Sequence, residues 1–242
     1  MKITFWFLLL LCPVAADAQG TICTITGPQA DSLILALPRD SAAWEKIGIL
    51  FTNRIFLNHA KNPKKDADSA IWYLEQAVSI SPKPETQIYL RIARALRARE
   101  DSFLQKAFGK TRQKVLVAFA ECDTFALVHP ENKVVQFLSA NLFAEANKLP
   151  NKEYYWQRSR KIFEKLLNLA EAGKKQNSAE TDFFTPEILG NIRLNQAKLS
   201  LKLSPDSQTA LILAKLEWEK ILDDYPGTLA AANAQKQLQK HK

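Results

Sequence analysis

Residues 44–82 read WEKIGILFTNRIFLNHAKNPKKDADSAIWYLEQAVSISP, and two spacings inside this stretch decide the fold. Trp44, Ile47, Gly48 and Phe51 recur at three- and four-residue intervals, which puts them on one face of a helix. Ser41, just ahead of them, is a suitable helix cap. After the break at Lys61-Asn62-Pro63-Lys64-Lys65, Ala70, Leu74 and Ala77 form a second stripe, and that helix is expected to stop at Ser81-Pro82. No stretch sustains the alternation of a strand, so the chain reads as all-α.

The two spacings return. Tyr89, Ile92, Ala93 and Leu96 repeat the first pattern, starting seven residues after Pro82, and Ala118, Cys122 and Phe125 repeat the second before Pro130. Phe137, Ala140, Asn141 and Ala144 again begin seven residues after their Pro. Ser159, Phe163 and Leu166 close a third pair without a terminal Pro. A fourth pair carries Leu189-Gly190-Asn191 and then Ala214, Trp218 and Ile221 before Pro226. The polar segment from Ala230 to Gln239 suits the capping helix that a stack of repeats requires.

These strings resemble the tetratricopeptide repeat, whose first helix carries W-x-x-L-G-x-x-Y and whose second carries A-x-x-x-F-x-x-A before a Pro. Tyr225-Pro226-Gly227-Thr228 is similar to an inter-repeat turn of that family. The resemblance implies an α-solenoid of about four antiparallel helix pairs over residues 40–239, closed by the capping helix. One departure is systematic: Trp44 to Tyr89 spans 45 residues and Tyr89 to Phe137 spans 48, against about 34 in the family. The excess is assigned to the connections within pairs, at 60–68, 98–109, 148–154 and 202–209, either as loops or as longer helices. That edge carries Lys61, Lys64, Lys65, Lys106, Lys148, Lys152 and Lys202, set against Asp66, Asp68, Glu100 and Asp101.

The N-terminus reads as an export signal. Met1-Lys2 gives one positive charge, Ile3 to Leu11 is apolar, and Ala16-Asp17-Ala18 fits a small-x-small cleavage site, so residues 1–18 are expected to be removed. The apolar run is about half of the roughly 20 residues that span a bilayer, and no later stretch is apolar enough. Lipoprotein anchoring through Cys12 is disfavoured, because bulky Leu11 precedes it and Pro13 follows. An irregular lead-in, with a short helix around Asp31–Leu37, is expected over 19–39. The expected location is therefore periplasmic or secreted, where a disulfide between Cys23 and Cys122 is allowed. The competing account makes Cys122 a small hydrophobe within a helix.

The composition narrows the chemistry. Among 242 residues there are only 7 Gly, where average usage would give about 17, and neither Gly-rich phosphate motif occurs. No G-x-S-x-G, no S-x-x-K with K-T-G and no Cys-His protease signature is present. His59, His129 and His241 are dispersed, so neither a metal nor a cofactor is expected, and Asp223-Asp224 reads as a solvated helix end. The net charge of +8 lacks the interleaved aromatics of a nucleic-acid groove. Contact with an anionic envelope surface suits the compartment better, beside a plain role in solubility.

What remains is a non-enzymatic binding scaffold. The resemblance implies that the first helices line a concave groove, with ligand-facing positions at Glu45, Ile49 and Thr52, at Leu90, Arg94 and Arg97, and at Leu138, Leu142 and Glu145. The carboxylate-clamp pattern of the family is absent, since Glu45 and Ile49 stand where it needs Lys and Asn. Arg94 and Arg97 could hold a carboxylate together, or form a solvated face with Arg91 and Arg99 paired to Glu100 and Asp101. The expected function is an adaptor that holds a protein or peptide in the envelope, with exposed Leu90, Leu138 and Leu142 along an open groove. A closed apolar pocket would instead mark a small-molecule-binding accessory subunit of a transport system.

Overall fold

The computed structural model describes residues 41–56, 60–100, 110–176 and 183–241. The expected signal, the expected lead-in with its short helix, and Cys23 lie outside the described residues. Nine α-helices are described: α1 (Ser41–Phe56), α2 (Pro63–Ile80), α3 (Pro84–Arg99), α4 (Lys110–Val128), α5 (Lys133–Ala144), α6 (Lys152–Gln176), α7 (Pro186–Leu203), α8 (Gln208–Asp224) and α9 (Leu229–Lys240). No strand occurs among the described residues.

Local chemistry sets the boundaries. Pro63, Pro84 and Pro186 each open a helix at its first position, where the missing N–H has no intrahelical partner to lose. Side chains of Asn62, Asn132, Thr185, Ser207 and Thr228 cap α2, α5, α7, α8 and α9 by accepting from the backbone N–H three residues on. Ser41 differs from its expected role, being the first residue of α1 rather than its cap. Gly227 takes a φ of 81° in the turn before α9, a conformation that a Cβ disfavours.

The repeated apolar spacings all point inward. Ala70, Leu74 and Ala77 of α2, Ala118, Cys122 and Phe125 of α4, Ser159, Phe163 and Leu166 of α6, and Ala214, Trp218 and Ile221 of α8 are buried. So are Ile47 and Gly48 of α1, Tyr89, Ile92, Ala93 and Leu96 of α3, and Phe137, Ala140 and Ala144 of α5, while Trp44, Phe51 and Asn141 are half-buried. Each large apolar side chain so placed is worth about 1.5–3 kcal/mol relative to exposure. Small residues sit where backbones meet. A Cβ added at Gly48 would lie 2.5 Å from Leu74 Cγ, and one at Gly190 would lie 2.9 Å from Ala230 Cβ. Ser159 Oγ donates to Ala140 O at 2.7 Å across the α5–α6 contact.

Each helix packs on the next in sequence, and α1, α3, α5, α7 and α9 also touch one another in succession. The extra residues of the first, third and fourth pairs divide between helix and connection, while most of 98–109 in the second lies outside the described residues. In the first pair α2 begins at Pro63, seven residues ahead of Ala70, so most of 60–68 is helical. In the fourth, α7 runs to Leu203 and α8 starts at Gln208. In the third the added length lies largely beyond the expected repeat: with no Pro after Leu166, α6 continues to Gln176 as a 25-residue helix, about 37 Å long.

Candidate partner-binding face

The odd-numbered helices are joined by polar links at successive contacts. Thr86 Oγ1 of α3 donates to Glu45 of α1. Asn132, which caps α5, donates to Glu85 of α3 at 2.6 Å. Asn195 Nδ2 of α7 donates to Asn141 Oδ1 of α5 at 2.9 Å and to Asn191 Oδ1 of its own helix at 3.0 Å. The Leu229 N–H of α9 donates to Glu187 of α7 at 3.1 Å. From α1 to α7 this seam fixes the rotation of each odd helix against the next, because a slip of one residue would unpair buried or half-buried polar groups, whereas the α7–α9 bond is exposed.

The nine expected groove residues do not form one surface. Leu90, Leu138 and Leu142 are buried, at 6%, 6% and 3% exposure, and Thr52 is fully buried with its hydroxyl bonded to Gly48 O at 2.9 Å. These four belong to helix packing and offer no area to a partner in this structure. Ile49 packs against the core while half-buried. Glu45 is half-buried by its bond from Thr86 and its ion pair with Lys83 at 3.6 Å.

The arginines of α3 are also claimed internally. Arg94 pairs with Glu75 at 3.0 Å and Arg97 pairs with Asp68, both carboxylates belonging to α2. Arg91 stacks over the Phe125 ring at 4.0 Å, and Arg99 turns to Glu100, at 3.0 Å. The pair Arg94 and Arg97 thus holds two separate carboxylates of the neighbouring helix. Asp66 likewise leaves the lysine edge, accepting two bonds from Arg54.

Glu145, at the end of α5, is exposed, and α7 brings Lys198 and Lys202 toward it. Burial lowers the pKa of both lysines, against the opposing pull of the Glu145 charge, and Lys202 adds to the effect on Lys198. Lys202 Nζ donates to Ala144 O at 2.7 Å, satisfying a carbonyl at the α5 C-terminus, where a cation is favoured. Lys198 has no hydrogen-bond partner among the described residues. Lys152 and Lys202 flank the Trp156 ring at 5.3 and 5.6 Å. Asn141, Glu145, Asn191, Asn195 and Lys198 therefore lie along the α5–α7 seam, and all but Glu145 escaped sequence reading as site residues. The fourth-repeat positions had a signal, Leu189-Gly190-Asn191, which places Asn191 one residue after the close-packed Gly190.

Cys122 is fully buried, and that burial pushes its thiol up to about 12. The His129 ring lies 4.4 Å from that of Phe125. Among the described residues no helix is long and apolar enough to cross a membrane, and no three His, Cys, Asp or Glu side chains gather as a metal site would require. No protein-family model, no curated protein and no solved structure matches the chain.

Proposed function

We propose that the chain is an exported, non-enzymatic adaptor built as a tetratricopeptide-like solenoid, which holds a protein or peptide partner against the face formed by its odd-numbered helices. The observation that carries this reading is the seam of hydrogen bonds between successive odd helices. A seam of that kind holds one face in a constant orientation along the stack, as a solenoid that binds extended segments requires. The α5–α7 part of the face is the strongest contact region, because it offers amides, an exposed carboxylate and a half-buried ammonium that lacks a hydrogen-bond partner. The proposal of export is supported by the signal-like pattern of residues 1–18, and its partner would accordingly be found in the envelope or outside the cell.

The test is photo-crosslinking in intact cells, with a photoreactive residue replacing Asn191 on the face or Glu219 on the exposed side of α8. Discrete adducts from Asn191 and none from Glu219 are the expected result. Adducts from Glu219 alone would overturn the assignment of the face.

A further inference from the structure

On the even-helix side, a cleft of about 290 Å³ lies between α4 and α6, lined by Ala126, Leu127, Pro130 and Gln136 and by Arg158, Lys161, Ile162 and Lys165. Its two walls differ in chemistry. The α4 side ends in Leu127 and Val128, which are 58% and 64% exposed although both are large and apolar. The α6 side presents Arg158, Lys161 and Lys165, spaced three and four residues apart and so on one helix face. The lining holds three cations and no carboxylate.

Internal bonds set this wall in place and balance two of its three cations, leaving Lys161 unpaired among the described residues. Arg158 Nε donates to Asp123 Oδ1 at 3.0 Å, and Asp123, buried in α4, also accepts from Tyr154. Lys165 Nζ donates to Pro130 O and to Glu131, both at 3.0 Å. Gln136 Nε2 donates to Ala126 O at 2.7 Å and to His129 O at 3.0 Å, tying the end of α4 to α5 and shaping the floor. Lys161 is exposed and has no hydrogen-bond partner among the described residues.

We propose that this cleft is a second docking site, for an acidic peptide segment of a partner protein that carries one large apolar side chain. The apolar side chain covers Leu127 against the floor, and flanking carboxylates meet Lys161 and its neighbours. The volume lies at the lower edge of ligand pockets, about 300 Å³, which suits one or two side chains rather than a whole cofactor. Charge complementarity selects the acidic class, since the unpaired Lys161 leaves the cleft with a net positive charge beside the paired Arg158 and Lys165. The site is independent of the odd-helix face, and two such faces would let one chain bridge two partners.

The test uses the full mature chain with labelled Leu and Ile methyls, titrated with an acetylated, amidated Glu-Glu-Gly-Leu-Glu-Glu hexapeptide and with its counterpart bearing Lys for Glu. The expected result is a shift of the Leu127 and Ile162 methyl signals with the acidic peptide only. The apparent affinity should fall by about tenfold or more in Lys161→Glu combined with Leu127→Asp, two exposed positions at which the fold is not at stake. No shift at these methyls, or equal shifts with the Lys peptide, overturns the proposal. So does a response to vesicles of phosphatidylcholine and phosphatidylglycerol without a response to the acidic peptide, which would make the cleft a membrane contact. Crosslinking at Asn191 reports the odd-helix face separately, so either reading can fail alone.

Discussion

Two hydrophobic cores share α7, and they are built differently. The larger one joins α1 through α7 and is rich in rings: Phe119 meets Tyr155 edge-on with centroids 5.1 Å apart, and Phe137 meets Phe163 at 6.4 Å. The smaller one, shared by α7, α8 and α9, rests on Trp218 among Leu194, Ile221 and several alanines. Tyr225 packs against both. The clearest repeat spacing, Ala214 to Pro226, belongs to the smaller core, while the weaker third repeat contributes Phe163 to the denser one. Motif positions supply fully buried rings to both cores, Tyr89 and Phe163 in the larger and Trp218 in the smaller, and the larger adds rings between the motif positions, Phe119, Phe143 and Tyr155.

The largest effects should separate the two cores. Phe163→Ala and Trp218→Ala each remove a fully buried ring, and each should cost about 3–5 kcal/mol. Thermal unfolding followed by amide exchange should show Phe163→Ala lowering protection from α2 to α7. Trp218→Ala should expose the amides of α8 and α9 first, as expected where repeat units lean on nearest neighbours. Simultaneous loss of protection in α3 and α8 of the Trp218→Ala protein would erase the distinction and make the molecule one cooperative unit.

Alkaline titration sharpens the comparison through opposite signs. An unfolded Cys122 thiol ionises near its ordinary value of 9.0, whereas burial holds the folded thiol neutral up to about 12. Between these values the folded state binds the extra proton, so stability falls by about 1.4 kcal/mol per pH unit. Tyr154 and Tyr155, also raised, act in the same direction at higher pH. Denaturant midpoints measured from pH 8 to 11 should decline in wild type, and the decline should be shallower in Cys122→Ala. An unchanged slope would mean that the larger core admits water at α4.

The smallest effect is expected at the α5–α7 edge, where Lys198 has the opposite sign. Its folded pKa lies below the ordinary lysine value of 10.5 because of burial. In the window between the two, the unfolded chain holds more protons, so this group makes stability rise with pH. Lys198→Met should therefore stabilise the protein at neutral pH, by under about 1 kcal/mol given its partial exposure, and should remove that rising contribution. A lower midpoint for Lys198→Met would show instead that the pull of Glu145 outweighs burial.

Much of the fold was legible in local chemistry. Prolines at 63, 82, 130, 150, 186, 205 and 226 all fall at helix starts or between helices, and the stripe from Ala70 to Ala77 is buried as its spacing requires. The candidate site was much less legible. A position on a helix face is named by its own sequence, but its exposure depends on which helix arrives beside it. Leu90, Leu138 and Leu142 were expected to face a groove, and the packing of their neighbours buries them. Arg94 and Arg97 were expected either to meet a ligand or to pair within their own segment. The carboxylates they found, Glu75 and Asp68, lie 19 and 29 residues back, on α2.

The sequence by itself determined the all-helical class, most of the breaks between helices and the inward stripes, because caps, prolines and a period of 3.6 residues act within one or two turns of chain. Only the tertiary structure decided which charges are spent inside the molecule and which stay available. Asp123 anchors Arg158 from 35 residues away, and Asn195 reaches Asn141 across 54. The cleft between α4 and α6 and the face along α5 and α7 exist only because non-adjacent helices meet, so no local pattern could have announced them.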